Sequence, residues 1–184
     1  MKNKILSTAI ALLLFPAGVF AQTTWKATSG AVSFKIKNAG ITVTGRFSGF
    51  NSTLAFGADK LASSSLKGSV DVGTIKTGND KRDEDLKGDK YFDAGKYKTI
   101  EIKSVKLYKK GAQYAGLFNV TIKGVTKQVE IPFSFTQHGN EAEFKGDFTI
   151  NRRDYGVGGK TLTMSDDADV SIDVKAKNYG TMAK

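Results

Sequence analysis

The chain reads as an all-β protein of antiparallel strands with one helical interruption, and three observations carry that reading. Apolar residues recur at every second position through most of the sequence. Turn-forming residues punctuate them at short intervals, and no long segment shows the three-to-four spacing of a helix. Eight or nine such segments make a barrel or a sandwich, and their short connections favour an up-and-down meander. Closing that meander removes the edge strands that would otherwise invite aggregation.

The first strand signal is "VSFKIKN", in which Val32, Phe34 and Ile36 alternate with Ser33, Lys35 and Lys37. Leu54 and Phe56 mark a second strand, and Leu66, Gly68, Val70 and Val72 a third. Ile100 and Ile102 are followed by Val105 and Leu107 in the opposite phase, which places a bulge near Ser104. Tyr114, Gly116, Phe118, Val120 and Ile122 then share one face, as do Val129, Ile131, Phe133 and Phe135. Ala142, Phe144, Gly146, Phe148 and Ile150 form the next set, and Val170, Ile172 and Val174 the last. Each set is the pattern of a half-buried antiparallel strand with one wet face. Asn38-Ala39-Gly40, Lys110-Gly111, Gly124 and His138-Gly139-Asn140 supply the turns.

Residues 1–21 belong to a different kind of sequence. Lys2 and Lys4 precede an apolar run from Ile5 to Phe15, and Val19-Phe20-Ala21 ends it with small residues at the −3 and −1 positions. That is the pattern of a secretory signal peptide cleaved after Ala21. The run is about half the roughly 20 residues that a membrane-spanning helix needs. The expected mature chain, residues 22–184, suits one domain exported to the periplasm or secreted.

Lys+Arg number 28 against 18 Asp+Glu, so removing Lys2 and Lys4 leaves 26 against 18, a formal +8. The lysines are scattered through strand-like segments with no dense run, and export takes the chain away from most nucleic acid; no nucleic-acid partner is expected. The balance points to solubility and to a weak, salt-sensitive attraction to anionic membrane surfaces. There is no Cys, so the fold must stand on packing alone.

One stretch breaks the strand pattern. "GTIKTGNDKRDEDLKGDKYFD", residues 73–93, crowds six carboxylates among four lysines and one arginine. Asn79 or Asp80 can cap a short helix over 79–86, with Asp83 and Glu84 favourable in its first turns. Its charges are expected to face water, with Leu86 as its apolar contact and Tyr91-Phe92 turning inward to close one end. A calcium loop begun at Asp83 fails: its fifth position is Lys87 and its twelfth Ala94.

Other chemistries find little support. "GVGGKT" at 156–161 lacks the earlier glycine of a phosphate loop, since Asp154 stands there. With His138 alone in a hairpin turn and no Cys, no nucleophile–base pair can be assembled, nor a zinc or haem site. A carboxylate pair built from Asp154, Asp166 and Asp167 is not required by their spacing. No catalytic residue, metal or cofactor is therefore assigned.

What remains is the aromatic and aliphatic content of the inward face. An eight-stranded barrel is wide enough either to fill itself or to hold one small ligand, and periodicity does not choose between them. Glycines 45, 49, 68, 116 and 146 make room for strong coiling or for that ligand.

The order of motifs resembles the YceI-like polyisoprenoid-binding proteins. Trp25 with "VSFKIKNAGITVTGRFSGFNSTLAF", then "TIKTGNDKRDEDLKGDKYFDAGKYKTIEIKS", "LFNVTIKGVTKQVEIPFSF" and "FTINRRDYGVG", follow that family's sequence from about Trp25 to Val174. Three departures stand out. The family's His-Ser pair is absent near Ser29-Gly30-Ala31, Lys98 stands where a Pro is usual, and Leu117-Phe118-Asn119 replaces a more polar approach.

The resemblance implies a lipocalin-like antiparallel barrel of about eight strands, with a short helix and an internal apolar cavity. It implies an exported protein that carries or stores a long isoprenoid chain, polyprenyl or quinone-type, by reversible burial. The expected lining is Phe34, Ile36, Phe47, Leu54, Phe56, Ile100, Ile102, Phe118, Val120, Ile122, Phe133, Phe135, Phe144 and Phe148, with Phe92 as a plug or gate. Arg82, Arg153 and Tyr155 are the candidates for contact with a polar headgroup. Two other readings stay open: an enzyme using carboxylates on a lipid in the same cavity, and a stress-response interaction protein with a filled barrel. A homodimer is compatible with the string, since two packed barrels would look no different from one.

Overall fold

The computed structural model describes residues 23–179, so the proposed signal peptide and its cleavage point after Ala21 lie outside the described residues. Eight strands follow one another around a closed barrel in chain order: β1 (Thr24–Asn38), β2 (Ile41–Ala55), β3 (Ser65–Lys76), β4 (Thr99–Lys110), β5 (Gln113–Ile122), β6 (Val125–His138), β7 (Glu141–Asn151) and β8 (Asp167–Lys177). Every neighbouring pair is antiparallel, and β1 closes the ring on β8. The meander is therefore a barrel and not a sandwich.

The bulge expected near Ser104 is present: the β4–β5 register shifts between Ser104 and Lys106. Val105 is the extra residue and points to water at 53% exposure, while Leu107 returns to the core. A second irregularity lies in β2, where the pairing with β3 shifts between Ser48 and Asn51. Gly49 takes φ +67° there, a left-handed conformation that costs glycine little. The shift changes the inward phase from Gly45 and Phe47 to Phe50 and Leu54.

The two ends of the barrel differ. At the end bearing the start of β1 and the end of β2, Phe56 is fully buried among the rings of Tyr114, Phe133, Phe135 and Phe144, with centroids 4.7–5.8 Å away. Trp25 packs edge-on to Phe135 and donates its indole N–H to the Phe56 carbonyl at 2.9 Å. This aromatic plug closes that end. The opposite end carries the helix α1 (Asp80–Lys87), the 88–98 segment, the β1–β2 and β5–β6 hairpins, and the connection between β7 and β8.

Helix α1 begins as the sequence suggests. The Asn79 side chain accepts from the Arg82 N–H at 2.9 Å, capping the first turn. The expectation that its charges all face water fails at Asp83, which is only 1% exposed. Its Oδ1 accepts from both the Thr77 hydroxyl (2.7 Å) and the Thr77 N–H (2.8 Å), and Lys76 Nζ lies 3.5 Å from Oδ2. Those bonds make burial of the carboxylate tolerable and tie the helix to the end of β3. The interaction with the Thr77 hydroxyl is the main cause holding the carboxyl below the usual aspartate range.

Candidate ligand cavity

Between the aromatic plug and α1 the barrel is hollow. The cavity measures about 210 Å³ as swept by the centre of a water molecule. One water needs roughly 10–15 Å³ on that measure, so the space is large for a packed core. All eight strands contribute to its wall. Val32, Phe34 and Ile36 line it from β1, Val120 and Ile122 from β5, and Val170, Ile172 and Val174 from β8. The helix end supplies a lid: Leu86, Tyr91 and Phe92 on one side, Tyr155, Val157 and Met164 on the other. Phe92 packs edge-on to Phe47, with ring centroids 5.7 Å apart.

Most of the expected lining is at the cavity wall: Phe34, Ile36, Phe47, Leu54, Phe92, Ile100, Ile102, Phe118, Val120, Ile122, Phe133, Phe144 and Phe148. Phe56 and Phe135 are not; both are committed to the plug, where ring–ring packing occupies their faces. Tyr91 and Phe92 both turn inward at this end, as expected of that pair, whereas periodicity does not place Phe50, Val157 or Met164 there. Phe50 reaches the cavity through the Gly49 bulge, and Val157 and Met164 lie on irregular backbone that has no period to read. Val170, Ile172 and Val174 could have been found from their alternation alone.

The polar candidates divide. Arg82 bonds Thr77 through Nε and Nη2 and is not at the wall. Arg153 is exposed and paired with Asp166 at 3.0 Å. Tyr155 does line the cavity, at 2% exposure, and its hydroxyl has no hydrogen-bond partner among the described residues. Burial, with Asp154 adding repulsion, pushes its phenol up to about 12.

The residue that sequence reasoning missed is Arg152, 4% exposed and also at the wall. Nε donates to the Ser165 carbonyl, Nη1 to the carbonyls of Val157 and Gly159, and Nη2 to the Met164 carbonyl and Asp166. All five donors are thereby used to pin the 157–166 segment, so the guanidinium offers no open hydrogen-bonding position to a ligand. The adjacent "RR" gives no hint of which arginine turns inward.

The wall is thus almost wholly apolar, with one buried hydroxyl; Lys67, Glu101 and Lys145 also border it, but they are exposed strand residues that add almost no polar surface to it. Asp154, Asp166 and Asp167 do not line it, and Asp166 is occupied by two arginines. Among the described residues no group of three or more metal-ligating side chains converges. Such a space can take up an apolar chain by excluding water, and offers little for acid–base work.

Comparison with known proteins places this architecture. The chain is 29% identical over 147 residues to a UPF0312 protein of Vibrio campbellii, covering 77% of this chain and 78% of that one. Among solved structures it resembles BcnA of Burkholderia cenocepacia, with a TM-score of 0.77 and 25% identity over 80% of this chain and 96% of the other. It shares its fold with a polyisoprenoid-binding domain from Saccharophagus degradans, with a TM-score of 0.66 and 14% identity over 86% and 99% of the two chains. The YceI-like domain profile matches residues 24–176, nearly the whole barrel, and the chain belongs to that family.

Proposed function

We propose that this protein binds one long apolar chain inside the barrel and carries or stores it by reversible burial. The observation that carries the reading is the hollow between the aromatic plug and α1, about 210 Å³ with almost wholly hydrocarbon walls. The Saccharophagus protein of the same fold is a polyisoprenoid-binding domain, which supports an isoprenoid or similar chain as the ligand class. The basic start and apolar run of residues 1–21 support delivery to the periplasm or beyond.

Burying hydrocarbon yields about 0.8 kcal/mol per CH₂-sized group relative to water. A bilayer solvates the same chain as well, so the barrel competes with the membrane and not with water. A carrier of this kind has to receive and deliver at a lipid surface. Arg152 has all its donors committed, which favours a neutral end group over a phosphate at the inner wall.

Native mass spectrometry of the purified protein tests the reading. A co-purified mass of a long-chain lipid is expected, and its loss in Phe118→Asp, which places a carboxylate on the wall. A folded wild type that never carries or takes up such a chain would overturn it.

A further inference from the structure

The helix end of the barrel also carries exposed apolar side chains, each at the tip of a basic connection. Ile41 opens β2 at 69% exposure, Leu162 is fully exposed in the β7–β8 connection, and Val125 opens β6 at 36%. The three connections are joined. The Ala39 N–H donates to the Thr163 carbonyl at 2.8 Å and the Ser165 N–H to the Lys37 carbonyl at 2.9 Å, which sets Ile41 and Leu162 on adjacent strips of chain. Lys123 Nζ donates to the carbonyls of Asp89 and Gly156, linking the β5–β6 hairpin to the same rim. Two residues from Leu162, Met164 lines the cavity.

Charge follows the same connections. Residues 35–46 hold Lys35, Lys37 and Arg46 with no acid; residues 122–129 hold Lys123 and Lys127 with no acid; residues 156–165 hold Lys160 with no acid. Among the described residues none of these six cations forms an ion pair. The acids of α1 and the segment after it sit among lysines of their own, and Asp166 lies between Arg152 and Arg153. Asp169 stands opposite Lys35 in the β1–β8 register, and Asp154 and Asp167 flank the β7–β8 connection. Exposed aliphatic tips beside lysines that form no ion pair among the described residues are the composition of a surface that inserts shallowly among lipid headgroups.

We infer that this end docks on an anionic bilayer, with Ile41 and Leu162 entering the headgroup region and Val125 at its margin, while Lys37, Lys127 and Lys160 meet lipid phosphates. Docking this way sets the lid side chains Tyr91, Phe92 and Met164 against the membrane, and a chain leaves the cavity without crossing water. The inference rests on the carrier reading for its purpose, but the surface itself does not depend on an occupied cavity.

Flotation with vesicles of phosphatidylcholine, with and without 30% phosphatidylglycerol, tests it on full-length expressed protein. The wild type is expected to float with the anionic vesicles at low salt and to be released by high salt. Ile41→Ser/Leu162→Ser is expected to weaken binding on the order of tenfold, and each of Lys37→Gln and Lys160→Gln about fivefold. Val105→Ser, which removes an exposed aliphatic far from this rim, should leave binding unchanged. All variants share one N-terminus, so differences among them read the rim alone. Equal flotation of Ile41→Ser/Leu162→Ser and wild type, or an equal loss in Val105→Ser, would overturn the assignment. Native mass spectra of the same samples separate the two ideas: normal lipid retention with unaltered flotation defeats only the docking face, and tip-dependent flotation of an empty barrel defeats only carriage.

Discussion

The ring of Phe50 rests on Gly30. A Cβ on that glycine would fall 2.0 Å from Phe50 Cδ1, far inside any tolerated contact. Register pairs Trp25–Leu54 and Val32–Phe47 bracket this place between β1 and β2, and the Gly49 bulge brings the ring to it. Gly30→Ala should therefore expel Phe50 from the cavity wall and cost about 1–3 kcal/mol. The denaturant midpoint would fall at an unchanged slope. Adding Phe50→Ala should remove the clash, so the double variant should be less damaged than the sum of the two single ones. Strict additivity would show that the ring yields freely.

The plug should carry much of the stability. Phe56 is fully buried and touches four other rings. Phe56→Ala is expected to cost about 3–5 kcal/mol, since those rings cannot collapse far into the space left behind. Phe148, half-buried beside the hollow, should cost less on the same change. Equilibrium unfolding of both variants checks the order, and a reversed order would mean that the hollow end holds the fold together.

These two contrasts show what was legible in the chain. The strands, the Ser104 bulge and the Asn79 cap could be read because period two and capping chemistry are local. Phe34 and Phe118 could be placed inside by the same logic. The fate of Phe56 and Phe135 could not: alternation turns a side chain inward, but only the assembled barrel decides whether it meets other rings or empty space. Phe50 was hidden by one bulged residue, which reverses the phase of the strand before it. Arg152 and Asp83 were hidden because, beside one charged partner each, they are held by backbone carbonyls and by a threonine, which leave no trace in a charge pattern. Gly45 leaves room for coiling or for a ligand as far as the sequence goes. A Cβ there would come within 2.2 Å of the Phe34 ring, so the room is for an aromatic side chain.

Acid should loosen the helix before the barrel. The Thr77 hydroxyl first, then its N–H and Lys76, hold the Asp83 carboxyl below its usual range against the cost of burial. The unfolded chain binds this proton near pH 4, earlier than the folded one does. The stabilisation is therefore complete above that pH and is lost as pH falls through the lower folded value. Thr77→Val removes the largest cause and should lower Tm by several degrees at neutral pH while flattening the acid limb. A melting profile between about pH 2 and pH 6 reads both effects, and an unaltered acid limb would relocate the acid sensitivity to another carboxylate.

Alkali should act through Tyr155. Its hydroxyl is buried without a partner among the described residues, and its phenol is pushed up to about 12. The unfolded chain gives up this proton near pH 10, so stability present below that pH drains away until the folded phenol ionises as well. The loss is on the order of 2–3 kcal/mol over those two pH units. Tyr155→Phe removes both the titration and an unsatisfied polar group. It should be neutral or about 1 kcal/mol more stable at pH 7, and less sensitive between pH 10 and pH 12. The same variant decides whether the hydroxyl serves a ligand. A hydroxyl that waits for the acceptor atom of a bound chain makes the empty barrel gain stability on substitution while the loaded barrel loses affinity. One that is simply stranded changes stability alone, so melting temperature and lipid retention, measured side by side, distinguish the two.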